Sequence, residues 1–328
     1  MNLIEISEKF PDEKTSVTHF EKVRWGKKAK CAYCKSHNIS PHDGDFRRKC
    51  YDCKKTFSVT VNTQLHHTRI PLKTWLYAFS VVTDAKKGIS ALQLERNLDI
   101  SYPTAFKMTQ KIRLLMSFET NRPQELSGIV EMDETYVGGK PRKGNSKWGT
   151  HPTLGKKNAD LDIRIKELRK EGIKFSRGKG NPAKITINAK RGRGTKNIPV
   201  VGIVERGGDV VAEVMRNTSY AHLRKMVKKY VDTNNSVLLT DEYPGYSPMD
   251  KIIEHVKIDH HKFYSYKGIN TNSIESFWAI VKRGIVGQYH HVTAKYLPEY
   301  VAEFVFKYNN RKMDDMFESL VRYAVIEE

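Results

Sequence analysis

The chain has 328 residues, with 57 Lys or Arg against 37 Asp or Glu and a formal net charge of +20, so a polyanion is the first partner to consider. Its early apolar run, Trp75 to Val82, is far short of the about 20 residues a membrane helix needs, and its start lacks the basic and apolar regions of a secretory signal. Only four cysteines occur, all between positions 31 and 53, which excludes a secreted disulfide scaffold; the chain is expected to be soluble, cytoplasmic and nucleoid-associated.

Residues 1–27 are expected to be a helical segment, followed by a small metal module at 28–62. There Cys31-Ala-Tyr-Cys34 and Cys50-Tyr-Asp-Cys53 form C-x2-C-x15-C-x2-C. Two residues between thiolates let both sulfurs of a knuckle reach one ion, and two knuckles close a tetrahedral shell. This is the pattern of structural Zn²⁺ in a zinc ribbon. His37 and His42 lie in the loop, but four thiolates already fill the site. Arg47, Arg48, Lys49, Lys54 and Lys55 make the ribbon basic, suited either to DNA contact or to solubilising a small domain.

Residues 63–122 read as a small helical domain. Pro71-Leu72-Lys73-Thr74-Trp75 opens an apolar helical pattern, and Gly88-Ile89-Ser90 precedes a second. A third starts at Pro103, which suits the first turn of a helix. The last two helices, joined by the short turn at Asp99–Ser101, have the pattern of a helix-turn-helix. Lys107, Lys111 and Arg113 on the second helix favour DNA binding over a plain helical linker.

A catalytic domain is expected over 128–312, interrupted by a basic insertion at 140–198 and followed by a tail at 313–328. The stretch from Lys140 to Asn197 carries 18 Lys or Arg and four acids. It is read as a phosphate-gripping insertion or as a solvated loop, with a short helix at Leu161 to Glu171. Around it, apolar runs and a Gly207-Gly208 turn predict strands at Ile129–Thr135, Pro199–Glu205, Val210–Met215, Ser236–Asp241 and His255–Ile258. Helices are predicted at Tyr220–Val231 and Asn272–Arg283. The order of three strands, helix, two strands, helix fits an α/β mixed sheet of the ribonuclease H type.

In that architecture the first and fourth strands are neighbours, so Asp133 and Asp241 converge, and Glu275 on the late helix can close the cluster. Three clustered carboxylates repel one another unless they share a divalent cation, and hard oxygen ligands favour Mg²⁺ or Mn²⁺. Lys282 lies two helical turns beyond Glu275 and can hold a phosphate. Trp278 is read as core. Glu131, Glu134 and Glu242 are read as neighbours outside the constellation.

These residues together resemble the bacterial insertion-sequence transposases of the DDE class with an N-terminal zinc ribbon, the ISXO-type group related to the Merlin elements. The resemblance runs through Cys31 to Phe57, Gly88-Ile89-Ser90-Ala91 with Arg113, Glu131 to Gly139, Val200 to Gly207, Thr240 to Tyr243, and Asn270 to Trp278. It implies metal-dependent cutting of double-stranded DNA at element ends, then strand transfer to a target by the freed 3′ hydroxyl. No covalent protein–DNA intermediate is implied. The third acidic position varies in this group and can be Asn; Glu275 has the implied spacing to Lys282, with Asn272 as the fallback. Synapsis of two ends implies a homo-oligomer on DNA. The rival readings are a catalytically inactive or domesticated DNA-binding protein, and a nuclease or resolvase using the same cluster.

Overall fold

The computed structural model describes residues 1–120, 125–138, 197–258, 270–312 and 315–327. Residues 140–196 of the basic insertion, including the helix expected within it, lie outside the described residues. Met1–Thr135 with Ile198–Glu328 form one compact unit, and Tyr136–Asn197 form another. No helix among the described residues is long and apolar enough to cross a membrane.

The first helices start where side chains satisfy free backbone amides. Asn2 caps α1 (Leu3–Lys9) in a reciprocal capping box with Glu5, and Asp12 caps α2 (Glu13–Trp25). The ribbon follows, with a two-residue antiparallel pair, β1 (Arg48–Lys49) and β2 (Thr56–Phe57). Then come α3 (Leu72–Asp84), α4 (Ala91–Leu98), capped by Ser90, and α5 (Tyr102–Thr120). Asp99 takes the left-handed conformation, φ 50°, that ends α4 and turns the chain into α5, as a helix-turn-helix connection requires.

The central sheet contains β3 (Leu126–Val137), β4 (Ile198–Glu205), β5 (Val210–Val214), β6 (Val231–Thr240) and β7 (Glu254–Lys257), in spatial order β5-β4-β3-β6-β7. β4 pairs antiparallel with β5, whereas β3 with β6, and β6 with β7, pair parallel. Three meandering strands, then two added in parallel beside the first, make a ribonuclease H-like fold. The helix α6 (Tyr220–Tyr230) makes the crossover into β6. It packs Leu223, Met226 and Val227 with Val130, Met132 and Tyr246 into one core. Residues on β3 alternate faces, so Glu131 and Asp133 point the other way.

That other side carries α7 (Asn272–Gly284) and α8 (Leu297–Asn309). A Cβ on Gly202 of β4 would lie 2.8 Å from the Trp278 ring and 3.0 Å from Ile274, so a glycine there lets α7 sit directly on the strand. Trp278 is buried core, as its sequence setting implies.

Two expectations fail here. Residues 316–324 are not a tail but a helix, α9 (Met316–Ala324), with Phe317, Leu320, Val321 and Ala324 on its buried stripe. This stripe enters the same core as Trp75, Phe79, Leu94 and Ile112, together with Phe306 of α8. The helix-turn-helix therefore has no core of its own; the chain's end completes it. Arg113, expected on the DNA-facing side, is buried and donates to Glu303 of α8 at 2.8 Å. Lys307 also donates to Glu303, at 2.6 Å, and so does the Tyr289 hydroxyl, at 2.8 Å. Burial alone would raise the Glu303 carboxyl, but Lys307 and Arg113 hold it down at about 2. Gly88, at φ +83°, gives Tyr289 room: a Cβ there would fall 1.8 Å from its hydroxyl. Ion pairs thus lock the helical region to the helix lying on the sheet.

Candidate active site and metal centres

Parallel pairing of β3 with β6 sets Glu131 opposite Leu239. The same offset carried two residues further brings Asp133 beside Asp241, just past the end of β6. One carboxylate oxygen from each of Asp133, Glu134 and Asp241 lies within 4.8 Å of the others. All three side chains are half-buried. Burial, then the adjacent Glu134 charge and the Asp241 charge, push the Asp133 carboxyl up to about 7, with Lys282 pulling weakly the other way. Acids held this close while losing solvent have the donor chemistry of a hard divalent cation site.

The expected third ligand is displaced. Glu275 is exposed, accepts from Thr271 Oγ1 at 3.1 Å, and lies outside the group formed by the two aspartates. Glu134 stands there instead, and its Oε2 accepts from the buried Tyr246 hydroxyl at 2.6 Å. β3 continues to Val137 beyond the end of β6 at Thr240, so the carboxylates of successive residues 133 and 134 can both reach the open strand edge beside Asp241. Asn272 and Lys282 are exposed on α7, and Lys282 lies near enough to Asp133 to act on its charge. Glu242 is exposed.

Glu131 is not a bystander. It is fully buried, and its Oε1 accepts from Arg206 Nε and Nη2 at 3.0 and 2.9 Å. Its Oε2 accepts from the backbone amides of Ser273 and Ile274 at 2.8 and 3.0 Å, which are free donors in the first turn of α7. Arg206 also donates to the Asn270 carbonyl at 2.8 Å. One carboxylate therefore ties the central strand, the β4–β5 turn and the start of α7 together. Asp241 has its own support: its Oδ1 accepts from the Tyr243 amide at 3.0 Å. The preceding Thr240 hydroxyl bonds His255 Nε2 at 2.8 Å, and His255 Nδ1 bonds Asp250 at 2.7 Å.

In the ribbon, Cys31 Sγ lies 3.6 Å from Cys53 Sγ and Cys34 Sγ lies 3.5 Å from Cys50 Sγ, with all four sulfurs within 4.8 Å. These spacings are too long for disulfides and close to the edge of about 3.8 Å of a tetrahedron with Zn–S near 2.3 Å. The Cys53 amide, with other donors, lowers the Cys50 thiol to about 7. Cys34, although it accepts from the Ser36 amide, is pushed up to about 12 by desolvation and the neighbouring sulfurs. Thiols crowded this way resist joint ionisation without a cation, so the donor set fits zinc. His37 and His42 are turned elsewhere, to the Ala29 carbonyl and to Glu21. Arg48 is also engaged by Glu21, at 2.9 Å, leaving Arg47, Lys49, Lys54 and Lys55 as the exposed cations around the knuckles.

The ISXO2-like transposase domain model matches residues 173–309 of the chain. That match includes Asp241, Glu275 and Lys282 and begins beyond Asp133, which is placed by strand pairing alone. A Halobacterium salinarum protein described as an uncharacterized protein in transposable element ISH50 is 25% identical over 250 residues. The similarity spans 74% of this chain and 71% of that protein. Solved structures with similarity include the Mos1 strand transfer complex, at 12% identity and TM-score 0.27, covering 77% of this chain and 78% of that one. The Mos1 mariner paired end complex with Mn is 12% identical at TM-score 0.19, covering 69% and 77%. Strand order and pairing, rather than these superpositions, define the fold. With its ribonuclease H-like sheet, its four-cysteine cluster, the domain match over residues 173–309 and the transposable-element relative, the chain is similar to the insertion-sequence transposases of the ISXO2-like type.

Proposed function

We propose that the protein cuts the ends of an insertion element and joins them to target DNA, using divalent metal at Asp133 and Asp241. The observation that carries this reading is the meeting of Asp133, Glu134 and Asp241 where β3 runs past the end of its parallel neighbour β6. A divalent ion held there would polarise the scissile phosphate and ease ionisation of the attacking oxygen. Asp133 and Asp241 supply anionic oxygens from rigid strands. Glu134 is the third donor at hand, while Glu275 and Asn272, on the exposed face of α7, are positioned to meet substrate or to join on closure. Lys282 offers a positive charge to a phosphate beside Asp133. Water is the first nucleophile, and the 3′ hydroxyl it releases is the second. Mg²⁺ is the proposed ion, with Mn²⁺ as its substitute, and Zn²⁺ holds the ribbon through Cys31, Cys34, Cys50 and Cys53.

Double-stranded DNA is the proposed partner, both as element ends and as target, and pairing two ends calls for a homo-oligomer. The test is incubation of the full chain with labelled DNA carrying the element's terminal repeats and a target plasmid, with Mg²⁺ or Mn²⁺. Specific cleavage followed by covalent joining supports the proposal. Tight binding without cleavage would make the chain a DNA-binding derivative, and cleavage without joining would make it a nuclease or resolvase.

A further inference from the structure

The helix α6 buries Leu223, Met226, Val227 and Tyr230 against the sheet and turns a different stripe outward. Ala221, Arg224, Lys225 and Lys228 follow the i, i+3, i+4, i+7 spacing of one helical face, and all four are exposed. They line a shallow depression together with Lys229. Lys229 is already neutralised by Glu213 at 2.8 Å, whereas no ion pair involves Arg224, Lys225 or Lys228 among the described residues. Lys225 feels the Glu213 charge without pairing to it, and three exposed cations around a small alanine repel one another and gain by sharing an anion.

Their place matters as much as their charge. The chain enters α6 through Thr218, whose carbonyl accepts from the Tyr243 hydroxyl at 3.3 Å. Tyr243 in turn donates its amide to Asp241 at 3.0 Å. The stripe therefore begins one tyrosine away from the carboxylates and runs off along the helix. From Arg224 to Lys228 is about 6 Å of helix at about 1.5 Å per residue. That matches two steps of about 3.4 Å axial rise, the span of three successive phosphates of one strand.

We infer that the exposed face of α6 is a phosphate track for duplex DNA leaving the active site, formed by Arg224, Lys225 and Lys228. This rests on the transposase reading above and adds a DNA surface distinct from the ribbon, the helix-turn-helix and the basic insertion. Contact is to the sugar–phosphate backbone, so it is indifferent to sequence.

The test compares Lys225→Ala, Lys229→Ala and the triple Arg224→Ala/Lys225→Ala/Lys228→Ala in the full chain, bound to a labelled duplex over a range of NaCl. Alanine keeps the helix, because its helix propensity is the highest. Each lost phosphate contact lowers the slope of log K against log salt by about 0.9. The triple is expected to lose about 2–3 from the slope and Lys225→Ala about 0.9. Lys229→Ala, which makes the same charge change as Lys225→Ala at a paired residue, is expected to leave the slope unchanged. An unchanged slope in the triple, or an equal fall in Lys229→Ala and Lys225→Ala, would overturn the proposal. If wild-type protein never cuts element ends yet the slope behaves as expected, the transposase reading fails and the surface stands. If cutting is intact and the slopes do not move, the surface alone fails.

Discussion

Replacing Glu131 with Gln keeps volume and shape but removes the anion on which Arg206 and the start of α7 converge. The four bonds it accepts come from Arg206 Nε and Nη2 and from the Ser273 and Ile274 amides. The Gln carbonyl can serve one of those pairs, and its NH2 group then faces donors on the other side. Breaking a buried charge pair costs about 3–5 kcal/mol. Arg206 is 29% exposed and keeps the Asn270 carbonyl, so the cost here falls to about 2–4 kcal/mol. At about 2–4 °C per kcal/mol for a domain of 150–250 residues, Tm should drop by roughly 5–15 °C. The first turn of α7 should loosen with it, taking Glu275 and Lys282 out of register with Asp133. Misplacement of about 1 Å can cost on the order of 100-fold in rate. The assay is thermal unfolding beside single-turnover cleavage of an element end, with Glu242→Gln, an exposed neighbour, as comparator within about 0.5 kcal/mol of wild type. If Glu131→Gln melts and cleaves like Glu242→Gln, the clamp has no role in holding α7.

Stability of the metal-free protein should depend on Asp133. Its carboxyl is raised from an unfolded value near 3.8 to about 7. A raised group stabilises fully below its unfolded value, and this stabilisation is lost as pH rises toward about 7. Tm should therefore fall across pH 4 to 7 and recover on adding Mg²⁺ at pH 8; Asp133→Asn should flatten both effects, and a wild-type Tm indifferent to Mg²⁺ at pH 8 would contradict this. The third-ligand question is settled by titrating cleavage with Mn²⁺. Glu134→Gln should raise the half-saturating concentration about tenfold or more and Glu275→Gln less, and the reverse order would restore Glu275 to the metal. Chelating zinc, or Cys34→Ser, should abolish the fold of residues 28–62, because a module this small lacks a sufficient core. A chain purified without chelators that contains no zinc would rule the site out.

Much of the fold was legible because strands with apolar runs and the amphipathic α6 and α7 leave strong periodic signals. Asp133 and Asp241 could be paired from strand order alone, since parallel register fixes their convergence. The roles of Glu131 and Glu134 could not, because Glu131, Asp133 and Glu134, three acids within four positions, look alike until their partners are seen, and neither could the place of Glu275, on a helix about 140 residues away. Arg113 looked like a DNA contact because its partner, Glu303, lies 190 residues away. The last sixteen residues looked like a tail because an isolated short amphipathic helix does not reveal which core it completes. The stripe on α6 was hidden for a similar reason: surface lysines acquire a direction only when Thr218 and Tyr243 tie the helix start to Asp241.

The central claim is that Asp133 and Asp241 perform metal-dependent phosphodiester chemistry on DNA that other parts of the chain recognise. The most direct measurement is cleavage and strand transfer by Asp133→Asn and Asp241→Asn on labelled element ends in Mg²⁺, with gel-shift binding measured beside it. Each change removes one anionic oxygen at nearly constant volume. Both variants should bind the ends within about threefold of wild type and lose cutting and joining by on the order of 1,000-fold or more. Wild-type cleavage in both variants would contradict the account.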